Sequence, residues 1–100
     1  MKIRTGQTIY ESIISVDENN SPVPTATLST ILYREGIFYS NLTAVLTDSS
    51  NAIFTASWSA STVGSYQVYS KNETTNLLYI SEVYYVVPDC EEIATVYVGI

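Results

Sequence analysis

The sequence predicts an all-β domain, a single antiparallel β-sandwich of seven or eight strands. Three observations predict it. β-Branched and aromatic residues, nine Tyr among them, supply strand formers, while Ser, Thr and Asn make up close to a third of the chain and supply polar faces and turns. Stretches of alternating apolar and polar residues are punctuated by turn signals roughly every 8–12 residues. No stretch holds the 3.6-residue apolar period of a helix. A small closed barrel is the alternative architecture.

Residues 7–16 open the pattern, with Ile9 and Ile13 on one face and Tyr10, Ile14 and Val16 on the other. Asp17-Glu18-Asn19-Asn20-Ser21-Pro22 reads as a turn: short polar side chains that bond their own backbone, then a Pro that cannot extend a ladder. Residues 25–33 set Ala26, Leu28 and Leu32 against Thr27, Ser29 and Ile31. Arg34-Glu35-Gly36 is a short connection, and residues 37–47 resume the alternation as one strand or two. Asp48-Ser49-Ser50-Asn51 is another turn. The next strand carries Phe54, Ala56 and Trp58 on one face, and the strand from Gly64 sets Tyr66 beside Val68. Phe54, Trp58, Tyr66 and Val68 are the expected core corner. A polar hairpin loop at 72–76 leads into LLYISEVYYVV, read as one continuous strand. Pro88 breaks it, and IATVYVGI reads as a last strand. The expected organisation is an N-terminal arm over 1–6, a sandwich over 7–88, and a C-terminal strand or arm over 89–100.

A net charge of −6, with only Lys2, Arg4, Arg34 and Lys71 as cations, argues against nucleic acid as a partner, because a phosphate backbone needs clustered Lys and Arg. An anionic membrane surface is disfavoured for the same reason. The N-terminal residues lack the apolar core of a secretory signal, and no apolar run approaches the length of a membrane span. The sequons at Asn19, Asn41 and Asn72 are therefore expected to stay unmodified.

Catalytic chemistry finds little support. With no His and one Cys there is no Ser–His or Cys–His pair. Asp17-Glu18 and Glu91-Glu92 sit in turn contexts and read as solvated carboxylates, not an acid–base pair. Asp17, Glu18, Asn19 and Asn20 offer oxygens on one loop but lack the spacing of a calcium loop. Cys90 lies between Asp89 and Glu91, where negative charge disfavours the thiolate. No enzyme activity, metal or cofactor is expected.

The tyrosines carry more information, since they cannot all point inward. In residues 77–87, strict alternation places Leu78, Ile80, Tyr84 and Val86 on one face, and Tyr79, Val83, Tyr85 and Val87 on the other. A strand apolar on both faces has both covered, so the second face serves either cross-strand aromatic pairing or docking on another protein, and it is a candidate interface. Tyr97 and Ile100 on the C-terminal strand, which either pairs with the domain's own first strand or adds to a neighbour's sheet edge, and Lys2 and Arg4 on the N-terminal arm complete the candidate set.

Gly64-Ser65-Tyr66, with Val68 two positions on, resembles the tyrosine corner of immunoglobulin-like domains. No cysteine pair exists, and Trp58 stands too close to Tyr66 for an antibody-type variable domain. More broadly, DENNSPV, TDSSNAIFTASW, GSYQVY and LLYISEVYYVV, spanning about residues 7–88, are similar to the short Ig-like modules of tailed-phage structural proteins. That resemblance implies a non-enzymatic virion protein, assembled in a host cytoplasm and present in several copies. Its expected role is capsid decoration or cementing, with a neck or tail position as the close variant. Its partners would be other virion proteins, the major capsid protein or neck and tail proteins. The alternative is an adhesion module that recognises a glycan or host-surface protein through exposed Tyr and Asn-rich loops.

Overall fold

The computed structural model describes residues 1–88. In chain order the strands are β1 (Lys2–Arg4), β2 (Ile9–Ile14), β3 (Leu28–Arg34), β4 (Ile37–Leu42), β5 (Val45–Asp48), β6 (Ile53–Trp58), β7 (Gly64–Asn72), β8 (Leu78–Ile80) and β9 (Tyr84–Val87). They form two sheets, and no helix occurs among the described residues. Sheet A has the order β1-β9-β7-β3-β4, with β8 beside the far part of β7; sheet B has the order β2-β6-β5. The fold is all-β and two-layered, a sandwich and not a closed barrel.

Alternation sets the core. In sheet B, Ile9, Glu11 and Ile13 of β2 lie opposite Trp58, Ala56 and Phe54 of β6, and all six are buried. In sheet A, Thr30 and Leu32 of β3 lie opposite Ser70 and Val68 of β7, with Tyr66 on the same inward face. The interior is divided along its length. At the Trp58 end, Ile3, Ile9, Leu32, Trp58, Tyr66, Val68, Tyr84 and Val86 form one apolar cluster. Towards the Asn72 end the contacts become polar: the Thr30 and Ser70 hydroxyls meet at 2.9 Å, and Asn72 Nδ2 donates to Ser15 Oγ at 2.8 Å. The first bond links neighbouring strands of sheet A, and the second ties the two layers, since Ser15 directly follows β2.

Turn chemistry follows the sequence. Asp17 Oδ1 accepts the backbone N–H groups of Asn19 and Ser21, Asp48 Oδ1 those of Ser50 and Asn51, and Asn72 Oδ1 those of Thr74 and Thr75. Glu35 and Gly36 both have positive φ, 53° and 77°, the turn whose twist suits a two-residue hairpin. The Tyr66 hydroxyl donates to the Thr62 carbonyl at 2.7 Å, tying the ring to the loop just before its own strand.

Residues 37–47, open between one strand and two, are two strands on different sheets, so one edge of the sandwich is a single run of chain passing from layer to layer. Three expectations are corrected. Lys2–Arg4 is not part of an arm: it pairs with β9, and that pairing is parallel, so the sandwich is not wholly antiparallel. Residues 77–87 are not one strand. Ser81 is buried, its N–H donates to the Val68 carbonyl, and its hydroxyl accepts the Val68 N–H at 2.9 Å and donates to Glu82 O at 2.7 Å. The side chain thus takes a place in the ladder that a backbone carbonyl would hold, and three residues detour before pairing resumes. These changes bring the strands to nine among the described residues, above the seven or eight expected. The expected strand within 89–100 lies outside the described residues.

Candidate functional site: the outer face of sheet A

The detour at 81–83 decides which tyrosines face outward. An odd number of inserted residues swaps the faces of a strand. Before the detour, Leu78 and Ile80 are exposed and Tyr79 turns inward; after it, Tyr84 and Val86 are buried and Tyr85 is exposed. The expected common face of Tyr79, Val83, Tyr85 and Val87 is therefore corrected. Tyr79 crosses the interior instead and donates its hydroxyl to Glu11 Oε2 at 2.8 Å. Glu11 is only 4% exposed, on β2 between Ile9 and Ile13. Burial, helped by this bond and the carboxylate's negative charge, pushes the Tyr79 pKa up to about 12. Burial, followed by the same carboxylate, also raises Tyr84.

The other predicted interface residues come together. Parallel pairing sets Lys2 opposite Tyr85 and Arg4 opposite Val87, with Ile3 opposite buried Val86. Lys2, Arg4, Tyr85 and Val87 thus share one corner of the outer face of sheet A. Val83 is half-buried beside them and lines a shallow depression of about 230 Å³ together with Tyr33, Gly36, Ser65, Gln67 and Tyr69. Tyr97 and Ile100 lie outside the described residues. The core corner stands where it was expected: Phe54, Trp58, Tyr66 and Val68 are all buried.

Sheet order extends this face with residues that alternation alone did not select. Ile31 lies opposite Tyr69 on one side and Asn41 on the other, and Tyr69 in turn lies opposite Ile80. Tyr33 lies opposite Gln67 and Phe38. The Tyr33 and Tyr69 rings meet edge-on, centroids 4.9 Å apart at 69°. Each stiffens the other, so the face presents a fixed aromatic relief of the kind that binding hot spots use. The outward alternation of Ile31 and Tyr33 was visible in the sequence; that β7 and not β4 would bring Tyr69 against them was not.

At the Trp58 end the face is anchored by the β3–β4 turn. Glu35 accepts both the backbone N–H and the hydroxyl of Ser65 at 3.0 Å, which, with Arg34 alongside, holds its carboxyl below the usual range. Arg34 Nη2 donates to the Val63 carbonyl at 2.8 Å. A Cβ on Gly64, where φ is +151°, would lie 2.8 Å from Glu35 Oε1, so this clasp requires glycine.

At the opposite end, Asp17, Glu18 and Asn19 line a shallow pocket with Thr74 and Thr75, but Asp17 Oδ1 is committed to its own turn. No group of three or more metal-ligating side chains occurs among the described residues. What the described surface offers is contact area. The sequence matches no model of a known protein family and no curated protein.

Proposed function

We propose that this chain is a non-enzymatic structural protein of a virion, docking on a larger assembly through the outer face of sheet A. Decoration or cementing of a tailed-phage capsid is the favoured role, with a neck or tail position as its close variant. The observation that carries the reading is that face: Tyr33 and Tyr69 locked edge-on, flanked by Ile31, Phe38, Ile80 and Tyr85, with Lys2 and Arg4 at its border. Burying apolar and Tyr surface against a neighbour stabilises an assembly without any reaction. The Tyr66 corner, with its 2.7 Å bond to Thr62, supports the immunoglobulin-like assignment on which the phage resemblance rests.

The competing reading, an adhesion module, needs aromatic side chains at loop tips. All eight described tyrosines lie within strands, which favours docking by a sheet face. The test is quantitative mass spectrometry of purified native particles. The chain is expected at a fixed ratio to the major capsid, neck or tail protein. Its absence from particles, together with specific binding to a glycan array, would replace this reading with adhesion.

A further inference from the structure

We infer that the groove between the edges of β2 and β8 is a docking site for the chain's own residues 93–100. The inference goes beyond the docking face above and does not depend on it.

The groove lies on the flank of the sandwich where β2 ends sheet B and β8 stands beside the far part of β7. The opposite flank is closed by β4 and β5, which follow one another in the chain. Among the described residues β2 pairs only with β6, and β8 only with β7, so both rims of the groove carry unpaired backbone groups. Between the rims is a cavity of about 270 Å³ lined by Ile13, Ile14, Leu28, Leu77, Leu78 and Tyr79. Ile14 and Leu78 are 61% and 57% exposed. The polar groups that reach the cavity are already engaged: Ser70 with Thr30, Asn72 with Ser15, Thr74 and Thr75, and Tyr79 with Glu11. Apolar side chains on an extended backbone would satisfy both the lining and the rims, which a compact polar ligand would not.

The tether selects the occupant. Past Pro88 the sequence continues with 12 residues, and 93–100, IATVYVGI, hold no charge and no Pro. Their alternate positions Ala94, Val96, Val98 and Ile100 are all apolar, the pattern that fills an apolar groove from one side of an extended segment. The segment also starts on the right flank, because β9 and β8 pair with the same side of β7. Val86 lies opposite Gly64 and Tyr79 opposite Ser70, a separation of six residues along β7. That is about 20 Å, whereas 12 residues reach up to about 40 Å, enough to turn back and bring the last of them to the groove. A segment so tethered acts at an effective concentration on the order of 1 mM, so it holds the groove against a free competitor of similar affinity.

The test is paramagnetic relaxation on the full chain, with one nitroxide at Thr95→Cys in a Cys90→Ser background, so that the label avoids the apolar set. The amide signals of residues 13–16 and 77–80 should fall at least about fivefold, more than those of 37–42 on β4, and by the same factor on dilution. Val98→Lys, which puts a charge among the apolar positions, should restore them. Signals that ignore the label, a loss centred on another edge, or a loss that Val98→Lys leaves in place would each overturn the inference. So would an equal loss in isotope-labelled copies without nitroxide when mixed with spin-labelled copies, the mark of a neighbour's segment in the groove.

Discussion

At the scale of the residue, Trp58 and Glu11 hold the interior by opposite means. Trp58 stacks on Tyr66 at 5.4 Å and meets the edge of Tyr84 at 5.5 Å, so its truncation empties the centre of the apolar cluster. Trp58→Ala should cost about 3–5 kcal/mol, seen as a lower denaturation midpoint at unchanged slope. A near-neutral result would place the indole at the surface. Glu11 is a carboxylate among apolar neighbours, tolerable because the Tyr79 hydroxyl reaches it from the other sheet. Tyr79→Phe removes that donor and leaves the carboxylate less satisfied. It should cost roughly 1–3 kcal/mol, more than loss of an exposed hydroxyl, and chemical denaturation of Tyr79→Phe beside Tyr85→Phe distinguishes the two cases.

At the scale of the element, the three residues between β8 and β9 matter more than either strand. They convert an outward Leu78–Ile80 into an inward Tyr84–Val86. Deleting Glu82 alone removes the one extra residue, so strict alternation then keeps Tyr79, Tyr84 and Val86 all on the inner face. The expected outcome is that cooperative thermal unfolding is kept, whereas its loss would show that the detour itself holds the fold together. This is also where the sequence stops being legible. Inner and outer faces of β2, β3, β6 and β7 followed from period-two alternation, and the turns at Asp17, Asp48 and Asn72 from side chains that bond their own backbone. Alternation carries no mark of a detour made by a buried Ser81, whose hydroxyl replaces a backbone acceptor. Nor does it carry sheet order: Lys2 beside Tyr85, and Tyr33 beside Tyr69, are neighbours only because of which strands pair.

At the scale of the whole molecule, an interior polar at one end and aromatic at the other should make stability fall on the alkaline side. Tyr79 is neutral when protonated, and its pKa in the folded state, about 12, is raised above the ordinary 10. The stabilisation it contributes is complete below about pH 10 and is lost as pH rises through about 12. Absorbance titration of phenolate should show a late class that includes Tyr79 and ionises only as the fold is lost; ionisation of Tyr79 without loss of the fold, at the ordinary value, would contradict it. On the outside, the aromatic face of sheet A is proposed to meet a larger assembly. That docking is the central claim, and the most direct measurement is co-sedimentation of the purified chain with native particles stripped of it. The wild type should pellet with them saturably and at a fixed ratio, while Tyr33→Ser/Tyr69→Ser, with its core intact, should stay in the supernatant. A wild type that remains in the supernatant, or a double variant that pellets equally well, would contradict it.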